Sequence, residues 1–283
     1  SGTFAGRVGG LVQSDGKIIF IGACYNYGNN PTTDTVVMRL KSDGSYDTSF
    51  NGTGYARLDL SGASREDFGA AIGVTADNKY IIGGTFKNSN GNYDMYVTRL
   101  NSNGSLDSSY ANGSNSVIRM DFGEGNDVVR DLWILSNLEV LVGGRAFLHG
   151  KDQILLMKLT SGGLLESSFA DHGLLITDLG QNYDLRAEDL VVQPDQKILV
   201  AGNTNNNKVA FVSRFESSGS TDTAFSGDGL ALAGESSDSF STVSSLVLHS
   251  SGEIILTALS TNNTTKIFRL HSDGSFDPLI SSE

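Results

Sequence analysis

One motif recurs five times along this chain, and that recurrence limits the folds open to it more than any other feature. It reads DGKIIFIG at Asp15–Gly22, DNKYIIGG at Asp77–Gly84, NLEVLVGG at Asn137–Gly144, DQKILVAG at Asp195–Gly202 and SGEIILTA at Ser251–Ala258. A second motif follows each copy: RLKSDGSYDTSF from Arg39, RLNSNGSLDSSY from Arg99, KLTSGGLLESSF from Lys158, RFESSGSTDTAF from Arg214 and RLHSDGSFDPLI from Arg269. Their turn glycines, Gly44, Gly104, Gly163, Gly219 and Gly274, fall 60, 59, 56 and 55 residues apart. A period of this size marks stacked supersecondary units rather than one irregular core.

Within each unit the pattern predicts four strands. A short apolar strand, such as Leu190–Val192, leads through a glycine turn to a nearly continuous apolar strand such as Lys17–Gly22. A third strand ends at the RL motif. A fourth alternates between apolar and polar residues, as in Tyr55–Leu60, Val117–Phe122 and Leu174–Leu179, with Leu230–Ala233 in the fourth unit. No helical period appears, and a lone sheet of this size cannot bury both faces, so the sheets must stack. The expected fold is all-β: a five-bladed β-propeller with four antiparallel strands per blade. As one domain, 1–283, its repeats cover 7–60, 69–122, 130–179, 187–234 and 243–283. The fifth repeat reaches Glu283 before a fourth strand, and residues 1–6 are expected to supply that strand and close the ring.

These motifs resemble the delta-sixty repeat, a bacterial β-propeller repeat family with the pattern D-G-K-I followed by apolar residues and A-G, then R-L-x-x-D-G-S-x-D-x-S-F. The resemblance runs through the whole chain. It is weakest in the third repeat, where Gly162-Gly163 replaces Asp-Gly, and at Pro278–Ile280 in the fifth. It implies a secreted or surface-exposed bacterial protein and carries no agreed catalytic residues.

The net charge of −12, from 20 basic and 32 acidic residues, disfavours nucleic acid and anionic membrane surfaces as partners. No apolar run is long enough for a membrane helix, so no membrane insertion is expected. The first residues show no signal peptide, and the abrupt start suggests a mature or excised fragment. The single cysteine, Cys24, has no partner for an internal disulfide.

Residues shared by every repeat are read as scaffold. Arg39, Arg99, Lys158, Arg214 and Arg269 each precede an acid by eight residues, at Asp47, Asp107, Glu166, Asp222 and Asp277. The pair is expected to fix the bend after the third strand. Phe50, Tyr110, Phe169 and Phe225 are expected to wedge between blades. Recognition then falls to the loops that differ, which alternating connectivity gathers on one face. There the candidate ligand-binding residues are Tyr25, Tyr27, Phe86, Phe147, His149, Tyr183, Asp184 and Arg186. Aromatic rings beside amides and carboxylates suit carbohydrate or a cell-surface glycan.

The four histidines are scattered without metal-ligand spacing, and neither a nucleophile elbow nor a phosphate loop is present. No metal, no cofactor and no catalytic activity are expected, and the leading reading is a binding or adhesion module. The runner-up is a glycoside hydrolase using Asp131 and Asp189, which align on the inner strands of the third and fourth repeats. A third reading is the tip or spacer of a larger or trimeric surface fibre.

Overall fold

The computed structural model describes residues 4–26, 32–60, 65–113, 116–204, 209–233 and 240–277. The described chain is all-β, with nineteen strands in five antiparallel sheets. The first sheet holds β1 (Phe4–Val12), β2 (Ile18–Asn26), β3 (Thr32–Leu40) and β4 (Tyr55–Leu58), paired in chain order. The second repeats this order with β5 (Asp67–Val74), β6 (Tyr80–Lys87), β7 (Tyr93–Leu100) and β8 (Val117–Met120). The third holds β9 (Val128–Ile134), β10 (Val140–Leu148), β11 (Lys151–Leu159) and β12 (Leu174–Thr177). The fourth holds β13 (Arg186–Val192), β14 (Ile198–Asn203), β15 (Ala210–Phe215) and β16 (Leu230–Ala233). The fifth has three strands, β17 (Phe240–Leu248), β18 (Ile254–Ser260) and β19 (Thr265–Leu270).

The expected closing strand is corrected here. Phe4 and Ala5 pair with Cys24 and Ala23, beyond a register shift that ends at Gly9. Residues 4–6 therefore prolong the inner strand of the first sheet instead of completing the fifth. Residues 1–3, the rest of the expected closing strand, lie outside the described residues.

The chain divides into two compact units, residues 1–140 with 159–164, and residues 141–158 with 165–283. In the first, Ile19, Ile21 and Val37 of one sheet pack on Tyr80, Ile82 and Leu100 of the next. In the second, one cluster joins Leu156 and Phe169 to Val200 and Phe211, and another joins Val212 and Phe225 to Leu246 and Leu256. Burying these side chains is the main driving force for stacking, at about 1.5–3 kcal/mol each.

The recurring arginine–acid–aromatic motif is a latch between neighbouring sheets. Arg39 Nε donates to Asp47 at 2.9 Å, while its Nη1 reaches the Ser102 carbonyl in the next repeat's turn at 2.6 Å. Arg99 does the same with Asp107 at 2.7 Å and the Ser161 carbonyl at 2.6 Å. Arg214 pairs with Asp222 at 2.5 Å and reaches the Ser272 carbonyl. Each guanidinium also lies over the aromatic ring of its own motif: Arg39 over Phe50 at 4.9 Å, Arg99 over Tyr110 at 4.5 Å and Arg214 over Phe225 at 4.7 Å.

The residue after each aromatic completes the latch. Asn51 N donates to the Asn103 carbonyl, Ala111 N to Gly162, Ala170 N to Ser218 and Ser226 N to Asp273, at 2.6–2.9 Å. The ring then sits on the turn glycine: a Cβ at Gly104 would lie 3.0 Å from the Phe50 ring and one at Gly163 2.7 Å from Tyr110. Positive φ and this close approach both require glycine. Phe50, Tyr110, Phe169 and Phe225 are fully buried, as wedges between sheets should be.

Candidate functional site

The other ends of the strands carry what the repeats do not share. In the first unit, the connection entering β5 meets the β6–β7 hairpin. Tyr93 Oη donates to Glu66 at 2.7 Å, and Lys87 Nζ reaches the same carboxylate at 3.1 Å. The Tyr93 ring meets Phe68 edge-on, with centroids 5.8 Å apart, and Lys87 lies 5.7 Å from the Tyr93 centroid. Burial and the Glu66 hydrogen bond push the Tyr93 phenol up to about 12. The Tyr93 hydrogen bond in turn holds Glu66 below its ordinary value, against a smaller burial penalty. Phe68, Lys87, Asn88 and Tyr93 are all half-buried, so a hydrogen-bonded aromatic ring faces partly into solvent. Beside it, Asn88 Oδ1 caps the hairpin by accepting from Asn90 N and Asn92 N.

Behind this patch lie two groups of three aspartates. Asp34, Asp59 and Asp67 bring carboxylate oxygens within 4.8 Å of one another, and so do Asp94, Asp121 and Asp127. Asp67 accepts from Leu60 N at 2.8 Å and Asp127 from Phe122 N at 2.9 Å, so each tethers the end of an outer strand to the next sheet. Burial pushes the Asp34 carboxyl up, and Arg57 offsets it only in part. Burial also raises Asp94; the Asn88 amide opposes this, and Asp121 and Asp127 reinforce it. Oxygen ligands in such a set suit a hard divalent cation, and no position in the sequence signalled them.

In the second unit the corresponding region is balanced by cations. Arg186 Nε meets Asp152 at 2.5 Å, Arg145 Nε approaches the other Asp152 oxygen at 3.6 Å, and Lys151 binds Asp178 at 2.5 Å.

The sequence-predicted residues distribute unevenly. Tyr25 is half-buried on β2, paired across to Thr33. Tyr27 lies outside the described residues. Phe86 belongs to the core, 9% exposed, with Arg119 5.7 Å from its ring. Phe147 is half-buried on β10. His149 is exposed at a hairpin turn with φ 53° beside Gly150 at 76°, so its backbone shapes the turn. Tyr183 packs against the core of the second unit, Asp184 is buried, and Arg186 is committed to Asp152. Asp131 and Asp189 sit on inner strands and each accepts from the following amide, Leu132 N at 2.8 Å and Leu190 N at 3.0 Å. The second Asp189 oxygen takes Leu246 N at 2.7 Å, tying the fourth sheet to the fifth. Glu66, Phe68 and Tyr93 were not among the expected site residues.

Four stretches, 13–50, 75–110, 193–225 and 249–279, match a family model described as a β-propeller domain of unknown function, DUF5122. The match supports a β-propeller repeat family and passes over the third repeat. No curated protein matches the sequence. Among solved structures, a protein of unknown function from Dyadobacter fermentans DSM 18053 superposes with a TM-score of 0.55 at 10% identity, over 95% of this chain and 80% of that one. The Hadza microbial sialidase Hz136 gives 0.54 at 10% identity and the polysaccharide lyase Uly1 gives 0.51 at 13%. Each of those two is matched over 95% of this chain, which spans only 57% of the other's length.

These likenesses correct the expectation that the chain is not an enzyme. The fold it shares also serves a lyase and a sialidase, so a propeller of this kind gives no ground for excluding catalysis. At such identities the likeness is one of fold, and it assigns no reaction to this chain.

Proposed function

We propose that this chain is a five-bladed, delta-sixty-type propeller module of a secreted or surface-exposed bacterial protein, and that it engages carbohydrate through its variable loops. The observation that carries the reading is the patch of Phe68, Tyr93, Glu66, Lys87 and Asn88 in the first unit. A sugar offers an apolar ring face and a rim of hydroxyls. A partly exposed tyrosine fixed by an acid, next to a lysine and amides, matches both features. Structures of similar fold include a polysaccharide lyase and a sialidase, which supports a carbohydrate ligand in general without naming one.

The same surface serves glycan binding and glycan cleavage equally well, so one experiment should read both. The full chain is applied to an array of plant, bacterial and host glycans, and any bound class is then assayed for newly formed chain ends. Retention of at least one class is expected, with Tyr93→Ala weakening it about tenfold or more. Absence of retention and of cleavage across the array would end the proposal. Retention indifferent to Tyr93→Ala would move the site away from this patch.

A further inference from the structure

The turn side of the second unit holds an open cavity of about 670 Å³. Leu174, Leu175 and Ile176 of β12 line it, with Ser168 and Asp171 from the loop before that strand and the Ser218–Ser220 turn of the next repeat. Its size falls within the roughly 300–1,000 Å³ of small-ligand sites. The three β12 residues are half-buried and make an apolar floor, while the serines and Asp171 are exposed around its rim.

Most donors at this rim are already spent. Ser168 Oγ donates to Glu166 Oε1 at 2.9 Å, and one of Ser218 and Ser220 donates its hydroxyl proton to the other at 2.9 Å. Ala170 N goes to the Ser218 carbonyl at 2.7 Å, and the Asp171 and Leu174 amides go to each other's carbonyls at 3.0 and 3.2 Å. What remains is chiefly acceptor capacity: the Ser168 oxygen and the Asp171 carboxylate, one oxygen of which meets His172 Nδ1 at 2.7 Å. No lysine or arginine stands among the described residues that line the cavity. Where the first two repeats carry Arg57 and Arg119, opposite Val36 and Tyr96, the third carries Ile176 opposite Leu155.

An apolar floor under an acceptor rim with one carboxylate suits a ligand that brings both the missing donors and the missing positive charge. We propose that this cavity binds a small organic cation, an ammonium or guanidinium group carried on an apolar body. The body lies along Leu174, Leu175 and Ile176, and the cation donates to the Asp171 carboxylate and the Ser168 oxygen. This site belongs to the other unit from the Tyr93 patch and does not depend on the reading given to that patch.

The test titrates the full chain, methyl-labelled at leucine and isoleucine, with three probes of one shape: 3-methylbutylamine, 3-methylbutanol and 3-methylbutanoate. At neutral pH the amine should shift the methyl resonances of Leu174, Leu175 and Ile176 saturably. It should bind about fivefold more tightly than the alcohol, the modest gain an exposed carboxylate gives, with the anion weaker still. Asp171→Asn, which keeps the main-chain bonds of its turn, should bring the amine down to the alcohol's affinity. Ile176→Arg, which supplies a cation from the chain itself, should abolish the shifts at Leu174 and Leu175. Thermal transitions check that both variants fold. An amine that moves none of these methyls, an alcohol that binds as tightly as the amine, or binding unchanged by Asp171→Asn overturns the proposal.

Discussion

On the turn side of the strands, Asp47, Asp107 and Asp222 each face an arginine; on the loop side of the first unit, Asp34 and Asp94 each face two further aspartates. The carboxyls respond in opposite directions. The Ser49 hydroxyl, more than any other group, holds Asp47 low. Burial pushes Asp107 and Asp222 up, but bonds from Lys79, Ser109 and Arg99 to the first, and from Lys197 and Arg214 to the second, more than reverse it. On the loop side burial wins, and Asp34 and Asp94 are raised. Stability is concentrated where Asp47, Asp107 and Asp222 have their cations, and like charges gather, with Arg57 beside Asp34 alone, on the side where the repeats diverge. Binding sites are commonly built this way, from groups whose arrangement does not serve folding.

The sharpest way to break this contrast is to remove a wedge. Phe50→Ala should cost about 3–5 kcal/mol in urea unfolding, whereas Asn90→Ala at the loop hairpin should stay within about 0.5 kcal/mol. Comparable losses would erase the distinction. Next, Asp222→Ala strands Arg214 in a buried position and should cost about 3 kcal/mol or more. The double change Arg214→Met with Asp222→Leu should recover part of that loss. Smaller still, Gly219→Ala should cost about 2 kcal/mol, because φ is +90° and the new Cβ would lie 2.8 Å from Ala170 Cβ. Gly44→Ala, in open space at φ +83°, should cost only about 1 kcal/mol.

The weakest effect concerns pH. A carboxyl held low contributes stability that is complete above the unfolded value, near about 4, and is lost as pH falls through the lower folded value. Asp47, Asp107 and Asp222 therefore make the chain acid-labile. A raised carboxyl acts with the opposite sign: its contribution is present in acid and is lost as pH rises through the raised folded value. Asp94→Asn should thus gain less than about 1 kcal/mol at neutral pH and nothing in strong acid. Unfolding curves recorded across that range would show it, and a loss at neutral pH would instead assign Asp94 a paired role.

The latch was largely legible in the sequence, because arginine, acid, aromatic and glycine recur at fixed offsets. What it grips was not legible: the acceptors are main-chain carbonyls such as Ser102 and Ser161, and no residue type announces a carbonyl's direction. The loop patch was harder still. Tyr93 and Glu66 meet across 27 residues and lie outside the recurring motifs, so periodicity could not pair them. Phe86 was expected to face solvent after the glycine pair, but β6 runs on to Lys87 and turns its ring inward. Phe4 and Ala5 were expected in an outer strand of the fifth repeat; they pair instead on β1 with Cys24 and Ala23.

Main-chain acceptors also leave the receiving loop unusually free to drift. The positions whose carbonyls take the incoming amide are Asn103, Gly162, Ser218 and Asp273, four different residues making one bond. A mutation there keeps the carbonyl that takes this bond, although Asn103, Ser218 and Asp273 also cap the turn by accepting from the amide two residues on. Only the following glycine is held fixed, so the third repeat can depart from the Asp-Gly signature and still be fastened at Gly163 to the sheet before it.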